Sequence, residues 1–206
     1  MRIAILDPAA GISGDMTLGA LLALGVPQDW LEALPGRLGL GAVGVTVRIA
    51  VRCGVGCKQV EFTIPERPHG RHVGELVRLV ERAPLSDWVK ERAVRAFQLI
   101  GDAEGRVHGV APEQVHLHEV GAVDAVLDIV GAIEGFEQLG VEAVYAWPVA
   151  VGTGWVEAAH GQLPVPAPAT AILLEGVELA TGGPVEGEAT TPTGAAIGRA
   201  SCRERV

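Results

Sequence analysis

The segment VHLHEVGAVDAVLDIVG, residues 115–131, concentrates the side chains of this chain best suited to chemistry. If its first residues are extended, His116 and His118 point the same way, because strand side chains repeat every two residues, and the two imidazoles can share a metal. Glu119 follows at once. Asp124 and Asp128 are four apart, so on a helix both carboxylates occupy one face. Imidazole nitrogens with a few carboxylates suit Ni, Zn, Co or Fe, and the spacing does not rank them. A blander reading competes at equal weight, in which the histidines are polar residues near a turn and the aspartates a solvated helix face. Against it stands the apolar sequence around them, since buried charges need partners or a metal.

Other candidates are scattered. His69 and His72 are three apart and become neighbours if a helix starts before His69, for which Pro68 is a suitable opening; capping or solvent exposure is the simpler account. His108 and His160 each precede a glycine, which fits a turn. The loop DPAAGISGDM carries Asp7 at the end of a strand-like run and Asp15 at the start of a helix-like one. These carboxylates could bind metal, or Asp15 could complement a helix dipole. Gly11, Ser13 and Gly14 in that loop could offer backbone amides to an anion, although the lysine of a P-loop and the spacing of a dinucleotide fingerprint are missing. Cys53 and Cys57 flank a turn without a standard zinc spacing and read as structural.

The elements that must position these residues follow from periodicity. Residues 2–6 form an apolar strand, a Gly loop follows, and 16–24 suit a helix. A second short helix runs from Pro27 and is expected to stop at Pro35-Gly36. Alternation over 43–52 and 58–64, broken by GVGC, predicts a hairpin with a loop on the four-residue scale. Residues 72–82 carry helical apolar spacing, and Ser86 can cap a long helix running to 107. After the extended 115–118, residues 122–139 are helical in pattern, 141–151 a buried strand, 155–159 an antiparallel return, and the prolines of PVPAPATAILLEG precede a short helix. Residues 177–180 could be a last strand. The expected fold is therefore α/β, a mixed and partly antiparallel sheet with flanking helices in a single globular domain.

Composition narrows the function. With 206 residues and 49% hydrophobic content the chain can bury one substantial core. Mean hydropathy is +0.32, yet no apolar run approaches the roughly 20 residues that span a bilayer, so no membrane role is expected. Met1 leads straight into the strand-like run RIAIL, so export is not expected either. A net charge of −9 argues against a nucleic-acid partner, and three unevenly placed cysteines fit a reducing cytoplasm.

Taken in order, GISGDM, HGRH, VHG, HLHEVGAVDAVLDIVG, AHGQLPVPAPAT and TPTGAAI closely resemble the motifs of the nickel insertion protein family, LarC, from Gly11 to Ile197. The resemblance implies a CTP-dependent nickel chelatase, a lyase-class enzyme that inserts Ni(II) into pyridinium-3,5-bisthiocarboxylic acid mononucleotide. The product is the cofactor of lactate racemase, the eventual recipient, and a divalent metal accompanies CTP. Carried over by motif, the metal-handling positions are Asp7, Asp15, His69, His72, His108, His116, His118, Glu119, Asp124, Asp128 and His160. One imidazole or carboxylate among them would accept the proton lost on metallation. The substrate phosphate would lie on Gly11, Ser13 and Gly14 or on Thr190, Thr191, Thr193 and Gly194.

The chain also departs from the family. A cysteine usual in the first loop is replaced by Pro8 or Ala9, and a histidine-rich insertion near HGRH is absent. The ending GRASCRERV is unlike the family, so the expectation is a family domain over 1–198, a foreign tail over 199–206, and a CTP-binding C-terminal domain that is missing. Two functions compete: nickel insertion, or a non-catalytic module that binds and delivers nickel. A phosphate-handling hydrolase is a weaker third, lacking a nucleophile.

Overall fold

A computed structural model of the protein describes all residues except 66–70, 118–122, 159–160, 181–184 and 203–206. Strand β1 (Ile3–Leu6) leads through the Gly loop into α1 (Gly14–Ala23), then α2 (Gln28–Arg37). The hairpin β2 (Gly44–Arg52) and β3 (Val55–Thr63) follows, then β4 (Arg71–His72), α3 (Val73–Arg82) and α4 (Asp87–His108). A 3-10 turn (Pro112–Gln114) precedes β5 (His116–Leu117), α5 (Val123–Gln138) and β6 (Ala143–Ala146). The chain closes with β7 (Gly152–Thr153), β8 (Trp155–Ala158), β9 (Gly161–Pro164), α6 (Pro168–Leu173), β10 (Gly187–Glu188) and α7 (Pro192–Ser201).

The mixed α/β character expected from the sequence is what forms. Among the described residues the strands are distributed over five two-stranded ladders: β1 with β6 in parallel, and β2–β3, β4–β5, β8–β9 and β7–β10 antiparallel. Helices carry the core, and α5 is its axis. Apart from Asp124 and Asp128, the residues of α5 from Val123 to Phe136 are all buried, as expected of a helix apolar all round. The glycines of α5 set its packing distances. A Cβ at Gly131 would stand 3.0 Å from a Leu18 methyl and 3.1 Å from one of Leu34, and at Gly135 it would stand 2.7 Å from Leu21. Helices α1 and α2 can thus approach α5 closely. On the far side α4 brings Ala96, Phe97 and Ile100, all fully buried, into the same core.

Several boundaries differ from expectation. Helix α2 runs through Pro35 to Arg37, because a proline in the last turn costs one hydrogen bond while Leu34 still accepts from Leu38 at 3.0 Å. The β2–β3 turn is only Cys53-Gly54, both with positive φ (50° and 80°), the sign pattern of a two-residue type I′ turn that follows the strand twist; Cys57 is therefore inside β3, opposite Ala50. The strand expected over 141–151 ends at Ala146, just before Trp147-Pro148, since proline cannot donate to a ladder. The last expected strand reduces to a single bridge between Leu179 and Val149. Helix α7 has no counterpart among the expected elements; Thr191 caps it and Pro192 occupies its first position, a favourable start.

Candidate functional site

Two polar centres form. The first is a knot around the Gly loop. Pro8 O accepts from both Gly11 N (2.9 Å) and Ala150 N (3.0 Å), while Ile12 and Thr190 form a parallel bridge and Thr191 N donates to Ile12 O at 3.1 Å. Thr190 is fully buried and its hydroxyl donates to Ala150 O at 2.6 Å. The Thr191 hydroxyl accepts from Gly194 N at 3.2 Å and shares a 2.9 Å hydrogen bond with Thr193. The two phosphate-loop candidates, Gly11 to Gly14 and Thr190 to Gly194, are thereby brought together. Two of their glycines are occupied by backbone: a Cβ on Gly11, whose φ is +93°, would fall 2.0 Å from Ala189 O, and one on Gly194 would fall 2.1 Å from Ile12 O.

Asp128 closes this knot from α5. A Cβ on Gly14 would lie 2.3 Å from the Asp128 Cβ and 2.6 Å from its Oδ2, so the first turn of α1 sits directly on that carboxyl group. Its Oδ1 is buried with no hydrogen-bond partner among the described residues. Burial, reinforced by the negative charges of Asp15 and Asp124, pushes the Asp128 carboxyl up to about 8 from an ordinary value of 3.8. Asp124 and Asp128 do share one helix face. Asp124 is exposed and accepts from Ala125 N at 2.9 Å. Asp15 is exposed on α1, where it accepts from the hydroxyl of Ser13, the N-cap whose oxygen also receives Met16 N at 3.4 Å. Asp7 is exposed just beyond β1.

The second centre is a histidine pair. In the short β4–β5 ladder His72 stands opposite His116, and their rings meet edge-on with centroids 5.2 Å apart. His72 Nδ1 donates to Val115 O at 2.9 Å. That bond places a proton on Nδ1 and so leaves Nε2 as the ring nitrogen that can offer a lone pair, the arrangement that orients metal-binding histidines. His72 N also donates to Glu75 Oε2 at 3.2 Å. Helix α3 begins only at Val73 and His72 is extended (φ −76°, ψ 148°). The helical premise for pairing His72 with His69 is therefore not met. The local spacing sets His116 beside His118, which lies outside the described residues; His72, from a segment 44 residues earlier, meets His116 in a contact that no local pattern announces.

The remaining candidates are dispersed. His108 ends α4 beside Glu104 (3.5 Å), before the left-handed Gly109 (φ 67°). His69, His118, Glu119 and His160 lie outside the described residues. Among the described residues no group of three or more His, Cys, Asp or Glu side chains gathers closely enough to hold a metal ion, nor is any helix long and apolar enough to cross a membrane. Cys53, Cys57 and Cys202 are free.

The fold and these centres define a mixed α/β protein with a paired-imidazole site on one ladder and a buried carboxyl group under a glycine loop. The chain belongs to the nickel insertion protein family, whose description it matches over residues 4–205. It is 46% identical over 204 residues to the pyridinium-3,5-bisthiocarboxylic acid mononucleotide nickel insertion protein of Desulfitobacterium hafniense (strain DSM 10664 / DCB-2), covering 99% of this chain and 50% of that protein. Putative nickel insertion proteins of Citrifermentans bemidjiense and Geobacter sulfurreducens are 49% and 44% identical, each across 96% of this chain and 51% of their own length. The chain thus spans about half the length of the curated relatives it matches. No solved structure matches it.

Proposed function

We propose that the protein takes part in inserting Ni(II) into pyridinium-3,5-bisthiocarboxylic acid mononucleotide, with His72 and His116 as the donors that hold the incoming ion. The observation that carries this reading is the His72 to Val115 hydrogen bond, which presents Nε2 as a lone pair beside a second imidazole. Two neutral nitrogens bind Ni(II) well but leave most of its coordination open, so the ion can pass to the sulfur atoms of the substrate. His69, His118, Glu119 and His160 are further candidate donors, and His108 and Asp7 are peripheral ones.

Insertion forms a nickel–carbon bond and two nickel–sulfur bonds while a ring C–H bond breaks, and the freed proton needs an acceptor. Asp128 suits that role, because its Oδ1 is buried with no partner among the described residues, and burial, reinforced by Asp15 and Asp124, pushes its carboxyl up to about 8. The resemblance assigns CTP and its divalent metal to the part of the relatives beyond this chain. In keeping with that, the space a phosphate cradle needs is taken at Gly11 by the Ala189 backbone and at Gly14 by the Asp128 side chain. Lactate racemase, as recipient of the product, is the partner proposed, and the reducing cytoplasm the compartment.

The test is metal retention by the untagged protein after Ni(II) loading and desalting, with Zn(II) and Co(II) as competitors. Wild type should retain nickel in stoichiometric amounts and the His72→Ala, His116→Ala double variant should lose it. Equal retention by both would sink the ligand assignment.

A further inference from the structure

Between β6 and α7 a cleft of about 650 Å³ opens on a side of the Gly loop that the histidine pair does not line. That volume lies within the range of roughly 300–1,000 Å³ typical of small-molecule sites. Its walls carry Tyr145 of β6, Trp147 just beyond it, Arg95 of α4, Glu178, and the first turn of α7 at Gly194 and Ala195.

The lining is unusual for this chain, which has one tyrosine and four tryptophans in all. The tyrosine lies here beside a tryptophan that is 61% exposed. An indole left open to water in a concave wall is a surface on which a planar ring recovers buried area and stacking energy. Arg95 is exposed, and among the described residues it makes no hydrogen bond or ion pair, whereas Arg199 in the same cleft is engaged with Glu175 O at 3.2 Å. In a chain of net charge −9, an unengaged guanidinium in a cleft is suited to a carboxylate, thiocarboxylate or phosphate.

We propose that this cleft binds a planar, anionic nitrogen heterocycle, its ring against Trp147 and Tyr145 and an acidic group on Arg95, with Glu178 facing the hydroxyls of an attached sugar. The inference rests on the insertion reading above, because a pyridinium mononucleotide with acidic arms is such a ligand. It places the heterocycle at a docking position apart from His72, His116 and Asp128, none of which lines the cleft, and apart from the loop positions expected to hold the phosphate, of which only Gly194 does; metallation on those residues takes place after the ring has left the cleft.

The experiment titrates nicotinate mononucleotide, a stable pyridinium carboxylate mononucleotide, into the ¹⁵N-labelled protein and follows the four tryptophan indole N–H signals. Trp147→Phe identifies the Trp147 signal. Binding should move that signal and the backbone amides of Tyr145 and Gly194; Arg95→Gln should weaken binding at least tenfold, and Trp147→Ala, read on those amides, should abolish it while the other three indoles stay in place as proof of folding. Absence of binding at millimolar ligand, movement confined to other indoles, or unchanged affinity in both variants would overturn the proposal. Inorganic phosphate is the second probe, and if it displaces the mononucleotide while matching its affinity, the ring contributes nothing and the stacking assignment fails. Nickel retention, scored separately on the histidine variants, keeps the two readings apart. Mononucleotide binding without nickel retention would sink insertion and leave the cleft, and the reverse would sink the cleft alone.

Discussion

Burial raises the Asp128 carboxyl, and its protonation is therefore linked to folding. Its native carboxyl titrates near 8 while the unfolded chain titrates near 3.8, so between these pH values the native state binds more protons and stability falls as pH rises. The cost is complete above about 8. Asp128→Asn should therefore match wild type in Tm near pH 4 and exceed it by an increasing margin towards pH 8.5, as read by thermal melts across that range. A margin independent of pH would remove the buried-carboxyl account. If the same group accepts the proton during insertion, nickel incorporation should rise with pH through about 8 and lose that dependence in the variant. At the histidine pair, His72→Gln should lower nickel retention, while Val115→Ala, which keeps the carbonyl that receives Nδ1, should leave it intact; metal analysis after desalting reads both.

Helix α5 joins the two halves of the fold, and its polar tie to α2 is legible only in three dimensions. Glu134 is 5% exposed and receives both terminal nitrogens of Arg37, at 2.5 and 2.7 Å, and the Arg37 guanidinium also lies over Trp30 at 6.0 Å. Removing one partner of such a pair leaves a buried charge, a loss of about 3–5 kcal/mol when burial is complete. Arg37 is itself partly exposed, so Arg37→Met should cost less, about 2 kcal/mol after screening. Urea denaturation measures it, and Arg37→Met combined with Glu134→Leu should recover much of the loss. Gly14→Ala should likewise destabilise by about 1–3 kcal/mol, the range for overpacking, because its methyl would enter the Asp128 side chain.

At this scale the sequence is readable where local chemistry decides. The Ser86 hydroxyl accepts from Val89 N at 3.2 Å and starts α4, and the four-residue spacing of Asp124 and Asp128 sets their common face. It is unreadable where a distant segment decides. Two-residue ladders such as β4–β5 carry no periodicity, so nothing local pairs His72 with His116. Thr191-Pro192 is an adequate helix start, yet the threonines and glycine after it suit a phosphate loop equally well, which hides α7. The alternation over 43–52 fixes the hairpin, while its turn length depends on whether Cys53 can adopt positive φ, which its residue type does not advertise.

Across the whole molecule, the early and late parts of the chain are interlocked. Strand β1 pairs with β6, Ile3 opposite Ala143, and the loop at Ile12 is clamped by Thr190, Thr191 and Gly194. A version ending at residue 185 should keep the β2–β3 hairpin but leave residues 8–16 open to limited proteolysis, whereas the longer chain protects them; equal cleavage would show that the clamp is not what orders the loop. The same interlock bears on biosynthesis. At roughly 5–20 residues per second, the segment that completes the loop follows it from the ribosome by something like 10–40 seconds. Until that segment emerges the nascent first helix lacks Thr191 to rest against, and for much of the interval Asp128 as well, so the buried carboxyl centre is assembled only after the segments that surround it have been made.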